Sequence, residues 1–332
     1  MRKTKIAING FGRIGRVTAR FILDNPDLEL VAINDLTDSK TLGHLFKYDS
    51  VHRAFNGTVS VSENNLVVNS KNIKVYSERD PENLPWKSLD IDVVIESTGF
   101  FRTEELANKH IIAGARKVII SAPAKAGNVK TIVLGVNESI LNGNENIISN
   151  ASCTTNCATP MIQLIDELCG IEHGFLTTIH SYTGDQKLHD SPHRDLRRAR
   201  AAAVSIIPTT TGAANAVTKI LPHLEGKLIG NAIRVPVPDG SITELTLTVK
   251  NIKTIEEINN LFKKASENKF KNLVSYNEDP IVSIDIVGNK NSCIFDSTLT
   301  TVIGNTIKIS GWYDNEAGYS SRLVDLINLI KK

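Results

Sequence analysis

The sequence predicts an α/β protein whose first part is a doubly wound parallel sheet and whose second part is rich in strands. The length of 332 residues is enough for two domains. Over roughly the first 150 residues, short apolar strand-like runs alternate with helical segments. A glycine-rich turn joins the first strand to the first helix, an arrangement typical of parallel βαβ units.

Strand-like and helix-like segments alternate along the first part of the sequence. The run 5–9 predicts a strand, and 13–23 predicts a helix with Ile14, Val17 and Phe21 on one face. Further strands are expected at 28–33, 91–96, 117–121 and 131–135, and a further helix at 104–113.

After about residue 150 the pattern changes. A helix is predicted at 153–168, with Gly170 as its stop and a kink or a later start at Pro160. Strands are expected at 175–180, 229–235, 242–249, 281–287 and 306–309, and a last helix at 318–332. The segment 181–207 is long, polar and basic, and loops of that length are usually functional.

Composition excludes several classes of protein. The net charge is +2, from 38 basic and 36 acidic residues, whereas nucleic-acid binders need a strong basic excess. No apolar run approaches the roughly 20 residues that span a membrane, and the N-terminus lacks the pattern of a signal peptide. Four cysteines in such a chain are expected to be free thiols, and we expect a cytoplasmic protein.

The glycine-rich turn fits the pattern G-x-G-x-x-G. Gly10 would form the tight turn, Gly12 would let a pyrophosphate approach the backbone, and Gly15 would allow close packing of helix on strand. Asp35 lies twenty positions beyond Gly15 and could accept hydrogen bonds from ribose hydroxyls. The alternative is an ordinary turn with a surface aspartate. Strand, glycines, helix and acid together favour a Rossmann-type dinucleotide site.

Cys153 is the candidate nucleophile because it falls in the first turn of a predicted helix. The helix dipole and free backbone N–H groups there favour a thiolate and could stabilise an oxyanion. Cys157, Cys169 and Cys293 are interpreted as small buried apolar residues. A metal site at Cys153 and Cys157 is not expected, since no histidine or acid lies close by in sequence.

His180 is the candidate base because it ends a predicted strand just before the long polar segment. From there it could face the helix start across a cleft. The chain has eight histidines, and on the pattern alone a structural histidine is the more frequent alternative.

The stretch Ala151-Ser152-Cys153-Thr154-Thr155-Asn156-Cys157 resembles the active-site signature of the glyceraldehyde-3-phosphate dehydrogenase family. The resemblance extends in order along nearly the whole chain. It covers the glycine motif, Asn34-Asp35, His180-Ser181-Tyr182-Thr183, residues 207–212, Arg234-Val235-Pro236 and residues 312–316.

The resemblance implies roles for individual residues. Cys153 would be the nucleophile, and His180 would activate its thiol and act as acid and base. Thr183 and Arg234 would hold the phosphate of the substrate, glyceraldehyde-3-phosphate. Inorganic phosphate would be held by Ser152, Thr154, Thr211 and Gly212, with Arg198 nearby. NAD would contact Gly10, Gly12, Arg13, Ile14, Gly15, Asp35, Arg79, Ser121 and Asn315. No metal is implied.

The resemblance also implies the domains and the assembly. Residues 1–152 would be the dinucleotide-binding domain, and 153–315 a catalytic α+β domain with a mixed, mainly antiparallel sheet. The helix 316–332 would pack on the catalytic side, and 181–207 would lie at contacts within a homotetramer. Erythrose-4-phosphate dehydrogenase, which releases its thioester with water, is the nearest alternative, and a non-catalytic binding role is a second one.

Overall fold

A computed structural model describes residues 2–331 and divides them into two compact units. Unit 1 comprises 2–132, 139–151 and 320–331, and unit 2 comprises 133–138 and 152–319. Met1 and Lys332, at the ends of the predicted first domain and last helix, lie outside the described residues.

Unit 1 is a doubly wound sheet with helices on its faces. Its helices are α1 (Arg13–Asp24), α2 (Ser39–Lys47), α3 (Trp86–Leu89) and α4 (Glu104–Ile112). Its strands are β1 (Thr4–Asn9), β2 (Leu28–Asn34), β3 (Val59–Ser62), β4 (Asn65–Val68), β5 (Lys71–Tyr76), β6 (Val93–Glu96), β7 (Lys117–Ile120), β8 (Lys130–Thr131) and β9 (Ile147–Ser149).

The strand order in unit 1 is β3-β4-β5-β2-β1-β6-β7-β9-β8. From β5 to β8 neighbouring strands are parallel, whereas β3, β4 and β5 form an antiparallel meander. The segment β5-β2-β1-β6-β7-β9 has the order of a Rossmann fold, with β1 at the centre. Ile6 and Ile8 of β1 are fully buried, and each contributes about 1.5–3 kcal/mol through burial. The predicted parallel sheet is confirmed.

Unit 2 is built on a mixed sheet. Its strands are β10 (Ile171–Ser181), β11 (Ile207–Thr210), β12 (Leu228–Val235), β13 (Ser241–Val249), β14 (Val274–Asn277), β15 (Cys293–Asp296), β16 (Thr301–Ile303) and β17 (Thr306–Tyr313). Its helices are α5 (Cys153–Cys169), α6 (Ala213–Ile220) and α7 (Ile255–Glu267), and α8 (Ala317–Ile330) begins in this unit. The sheet order is β11-β12-β10-β13-β17-β15-β14, with β16 on β17. Only the pairs β10–β12 and β14–β15 are parallel among those described, so the sheet is mainly antiparallel, as predicted.

Helix α5 lies against this sheet and supplies much of the core of unit 2. Met161, Ile162 and Ile165 are fully buried in the same apolar cluster as Leu245 and Ile309 of the sheet. The predicted later start is wrong, because α5 runs unbroken from Cys153 to Cys169 with Pro160 inside it, whereas the kink at Pro160 stays a prediction. Pro160 is buried and cannot donate the backbone hydrogen bond that another residue would make at this position.

Two predicted strands are corrected by local hydrogen bonds. Of the predicted strand 131–135, only Thr131 lies in a strand, β8, because the Asn137 side chain accepts from Val133 N at 2.8 Å and the chain turns. The segment predicted as strand 281–287 is instead a 3₁₀ turn at Ser283–Ile286, in which the Asp285 side chain accepts from Val282 N.

The last helix also departs from its predicted place. The sequence assigned it to the catalytic side, whereas residues 320–331 belong to unit 1. The Lys331 ammonium lies 3.2 Å from the Asp27 carboxylate of the same unit, and Leu323 and Leu326 are completely buried. Between residues 2 and 331, no helix is both long and apolar enough to cross a membrane.

Candidate active site

Cys153 begins helix α5, as the sequence predicts. Ser152 is the N-cap, and its Oγ accepts from Thr155 N at 3.1 Å, which fixes the start of the helix. Ala151, immediately before the cap, has a positive φ of 55°, a left-handed conformation found in neither a β-strand nor an α-helix, so the backbone changes direction at this residue. The Cys153 side chain is partly exposed, while Thr154 and Thr155 behind it are buried.

His180 lies directly beside this cysteine. It is the penultimate residue of β10, it is 5% exposed, and its Nε2 is 3.4 Å from Cys153 Sγ. The pairing of His180 with Arg234 in the register of β10 and β12 brings the guanidinium to the same place. The structure therefore joins three of the predicted residues into one cluster.

The second nitrogen of His180 has two neighbours that require opposite tautomers. Its Nδ1 lies 2.8 Å from the Ser181 carbonyl and 2.7 Å from Arg234 Nη1. A guanidinium can only donate and a carbonyl can only accept, so Nδ1 satisfies one neighbour or the other. Only the tautomer that donates to Ser181 leaves Nε2 free to accept the Cys153 proton. Arg234 Nη1 then has the same carbonyl as its acceptor, at 2.9 Å.

Burial controls the ionisation of this pair. It lowers the pKa of His180 from 6.5 to about 3, helped by the positive charges of Arg234 and Arg198. Burial also raises the pKa of the Cys153 thiol, which Arg234 lowers only in part. Both shifts favour the neutral thiol and the neutral imidazole, so burial opposes the effect that the sequence predicts for the helix start.

Tyr313 ties the nucleophile helix to the sheet beneath it. Its hydroxyl lies 2.9 Å from Thr154 Oγ1 and 2.8 Å from Thr178 Oγ1. Its ring meets the His180 ring edge to face, with centroids 6.0 Å apart. The first of these hydrogen bonds engages the hydroxyl of the buried Thr154, so this side chain helps to position the helix.

The other predicted anion-binding residues lie on neighbouring loops of unit 2. Arg198 donates to Thr209 Oγ1, to the Thr210 carbonyl and to Asp185, which places it beside the turn at Thr211. Gly212 is exposed and caps α6, and its Cα faces open space. Thr183 follows β10, and its N–H donates to Gln186 Oε1 at 3.3 Å.

Unit 1 contains a cleft of about 440 Å³ at the carboxyl ends of its central strands. Gly10 and Gly12 line it together with Asp35 and Arg79. Gly10 has a φ of +91°, and a Cβ there would lie 2.6 Å from Thr98 N, so only glycine fits. A Cβ on Gly15 would lie 2.2 Å from the Gly10 carbonyl, which explains the third glycine of the motif.

The polar groups of this cleft suit a dinucleotide. The Asp35 carboxylate accepts from Phe11 N at 2.7 Å and from Thr37 N at 2.9 Å, and further lone pairs remain for ribose hydroxyls. Arg13 begins α1, but its guanidinium is paired with the buried Asp49. Its backbone N–H and that of Ile14, at the helix start, are therefore the groups suited to a pyrophosphate.

Comparison with known proteins agrees with both halves of this geometry. The NAD binding domain of glyceraldehyde 3-phosphate dehydrogenase matches residues 4–104, and the C-terminal domain of the same enzyme matches residues 152–315. The chain belongs to the glyceraldehyde 3-phosphate dehydrogenase family. It is an NAD-dependent oxidoreductase of that family.

Similar proteins named glyceraldehyde-3-phosphate dehydrogenase cover nearly the whole chain. The protein from Thermotoga maritima is 57% identical over 331 residues, which is 99% of either chain. The protein from Clostridium acetobutylicum is 56% identical over 326 residues, which is 96% of either chain. The protein from Geobacillus stearothermophilus is 55% identical over 324 residues, or 97% of this chain and 96% of the relative.

Sequence reasoning missed two residues that organise this site, Ser181 and Tyr313. Ser181 uses three groups at once: its carbonyl meets His180 and Arg234, its N–H donates to Ser241 Oγ, and its hydroxyl donates to Asn315 Oδ1. Both residues lie inside sequence motifs on which the family resemblance rests, and this position was the only indication in the sequence that they belong to the site. Ser121 follows β7 in unit 1, whereas Asn315 lies in unit 2.

Proposed function

We propose that this chain oxidises glyceraldehyde-3-phosphate to its acyl phosphate, using NAD and inorganic phosphate. The observation that carries the proposal is the pair of Cys153 Sγ and His180 Nε2, 3.4 Å apart at a helix start. The named relatives support the substrate, since each is a glyceraldehyde-3-phosphate dehydrogenase.

In the first step, Cys153 attacks the aldehyde carbon as its proton passes to His180 Nε2. Backbone N–H groups at the start of α5 are placed to stabilise the oxyanion that develops on the former carbonyl oxygen. An anion bound to Arg234 would offset the charge that depresses the pKa of His180. It would also draw the guanidinium away from Nδ1 and favour the tautomer that donates to Ser181. Binding of the substrate phosphate would therefore prepare the base.

His180 then returns the thiol proton to the oxyanion, which gives the neutral thiohemiacetal. In the second step, the neutral His180 accepts the hydroxyl proton of the thiohemiacetal and a thioester is left on Cys153. NAD, when bound, supplies the acceptor for the hydride that leaves the same carbon. Gly10, Gly12, Gly15, Asp35 and Arg79 are proposed to hold it, with the backbone N–H groups of Arg13 and Ile14. Ser121 and Asn315 are proposed as further contacts.

In the last step, an oxygen of inorganic phosphate attacks the thioester carbon and the Cys153 thiolate leaves. We assign the substrate phosphate to Thr183 and Arg234. The attacking phosphate is assigned to a set of hydroxyls and amides, with a nearby guanidinium. This set comprises Ser152, Thr154, Thr211, Gly212 and Arg198.

Turnover with and without phosphate tests this chemistry. In phosphate-free buffer we expect about one NADH per active site, then a stall with acyl-enzyme on Cys153. Phosphate should restore turnover, and Thr211→Ala should raise the KM for phosphate by roughly ten- to a hundredfold while leaving that for the aldehyde nearly unchanged. Rapid turnover without phosphate would instead indicate hydrolytic release, the chemistry of erythrose-4-phosphate dehydrogenase.

We also propose a homotetramer whose contacts include part of segment 181–207. Leu188, Leu196, Val204 and Ile206 in this region are each more than 70% exposed. Apolar side chains that lie bare in one chain are typical of contacts between subunits. Light scattering should give four chains per particle, and a stable monomer at working concentration would contradict the proposal.

A further inference from the structure

A network of buried hydrogen-bonding side chains, Trp86, His110 and Glu96, lies next to the cleft of unit 1. Trp86 and His110 are completely buried, and Glu96 is 1% exposed. Trp86 Nε1 lies 3.0 Å from His110 Nδ1, and His110 Nε2 lies 3.0 Å from Glu96 Oε2. Buried polar groups are costly unless each has a partner, so a network of this extent needs a reason.

The hydrogen-bond partners determine which nitrogen of His110 carries the proton. The indole of Trp86 can only donate, so His110 Nδ1 must be an acceptor. A neutral imidazole then carries its proton on Nε2, which donates to Glu96. The contact between His110 and Glu96 is thus a hydrogen bond to a neutral ring, and the tautomer is set by the tryptophan.

Glu96 is the point at which the network converges. Its Oε2 also accepts from Asn9 Nδ2 at 2.6 Å, and its Oε1 accepts from Thr98 N at 2.9 Å and from the Thr98 hydroxyl. Each of these four contacts supplies a hydrogen atom to a carboxylate oxygen of Glu96. Glu96 therefore acts purely as an acceptor.

Three of these four donors belong to Asn9 and Thr98, which form part of the wall of the cleft. Thr98 N is the atom against which Gly10 packs, and Thr98 Oγ1 accepts from Phe100 N at 3.1 Å. Asn9 Oδ1 accepts from Asn34 Nδ2 at 2.7 Å. The ends of β1, β2 and β6 are thereby held in one arrangement around the coenzyme site.

A third connection reaches the cleft through an aromatic ring. Phe101 lines the cleft, and its ring meets the His110 ring edge to face, with centroids 6.2 Å apart. Asn34 extends the network on the other side, because its Oδ1 accepts from Glu78 N at 2.8 Å and Glu78 also lines the cleft.

We propose that Trp86, His110 and Glu96 are positioning residues of the NAD site. The tryptophan sets the histidine tautomer, the histidine and carboxylate orient Asn9 and Thr98, and these residues hold the glycine turn and the 97–101 loop in their binding arrangement. The inference rests on NAD binding by unit 1 and not on the thioester chemistry.

Glu96→Gln provides the direct test, with NAD affinity measured by calorimetry on the full-length protein. An NH₂ group in place of Oε2 faces two donors, His110 Nε2 and Asn9 Nδ2, and one in place of Oε1 faces the Thr98 N–H, so either orientation opposes at least one donor. We expect NAD affinity to fall about tenfold or more, as for loss of a hydrogen bond to a charged group. The KM for NAD should rise by more than kcat falls. Glu105→Gln makes the same chemical change on the exposed face of α4 and should leave NAD affinity unchanged.

Adding Trp86→Phe to the Glu96→Gln variant should recover part of the lost affinity. Without the indole donor, His110 can carry its proton on Nδ1 and present Nε2 as an acceptor to the new amide. A network that merely fills space predicts the opposite, since a second cavity-forming change would weaken binding further. Wild-type affinity in the Glu96→Gln protein, or no recovery in the double variant, would overturn the proposal.

The tautomer can also be measured without any substitution. Magic-angle-spinning NMR of protein labelled with ¹⁵N in histidine and tryptophan identifies His110 by its proximity to the Trp86 indole. We expect the proton of this ring on Nε2. A ring protonated on Nδ1 would overturn the proposal, and this result does not depend on whether the variants fold or on whether the enzyme uses phosphate.

Discussion

Arg234→Gln tests whether the guanidinium controls the base. Arg234 Nη1 lies 2.7 Å from His180 Nδ1, and its charge is the second cause, after burial, of the fall in the His180 pKa from 6.5 to about 3. We therefore expect removal of the charge to raise this pKa, and each unit of the rise is equivalent to about 1.4 kcal/mol.

The same substitution should act on Cys153 in the unfavourable direction. Arg234 lowers the pKa of the thiol against the effect of burial, so its loss should raise that pKa further. Alkylation of Cys153 at neutral pH should therefore become slower although His180 has become more basic. This opposition distinguishes an electrostatic role of Arg234 from a general loosening of the site.

NMR titration of ¹³C-labelled histidine, with His180 assigned by substitution, measures the first effect, and iodoacetamide kinetics measure the second. Arg200→Gln is the matched control, because Arg200 is an exposed arginine of the same unit paired with Asp190. An unchanged or lower His180 pKa in the Arg234 variant would refute the reasoning. Saturating phosphate in the wild-type protein should move the pKa upward in the same way.

Three further outcomes follow from named groups. Asp35→Ala should reduce the preference for NAD over NADP, since a carboxylate at the ribose repels a 2′-phosphate. The ratio of kcat/KM for the two coenzymes measures this preference, and a wild-type enzyme with no preference would contradict the reasoning. Burial, with Asp314 and Glu316 nearby, raises the pKa of Asp239 to about 9. In the unfolded chain an aspartate has a pKa of about 3.9. Because the folded protein binds this proton more tightly, Asp239 makes the free energy of unfolding fall as the pH rises between about 4 and 9. Asp239→Asn should therefore gain stability over wild type increasingly across that window in urea denaturation, and parallel curves would exclude this linkage. His180 has the opposite sign, because its folded pKa of about 3 lies below the unfolded value of 6.5, so stability should be lost as pH falls from about 6.5 to 3, and His180→Asn should lose less over that range.

The predictions that succeeded depend on local rules. The glycine turn, the strands around it and the start of α5 are each specified by a few neighbouring residues, such as Ser152 capping Cys153. Helix α7 could have been found in the same way. Thr254 and Glu257 form a capping box there, a T-x-x-E signature that is visible in the sequence.

The failures share a different cause. The strand expected at 281–287 and most of the one at 131–135 have apolar composition suited to strands. In both cases a single side chain, Asp285 or Asn137, captures a backbone N–H and turns the chain. Composition reports what a segment can bury, whereas these bonds depend on whether a carboxylate or amide finds its donor. The placement of residues 320–331 depends likewise on partners distant in sequence, such as Asp27 for Lys331.

The chemistry of Cys153 shows most clearly where local reasoning stops. A helix start favours a thiolate, and the sequence contains that helix start, yet burial raises the thiol pKa and lowers that of His180. The desolvation depends on α5, β10 and β12 meeting at the pair, which no single stretch of sequence displays. Both shifts favour the neutral forms, and on the mechanism proposed above an anion bound to Arg234 would weaken this preference at His180. A thiol that stays protonated in the empty site is less open to alkylation and oxidation than a permanent thiolate. On the proposed mechanism, the burial that opposes thiolate formation would thus confine the reactive form of Cys153 to the complex with substrate.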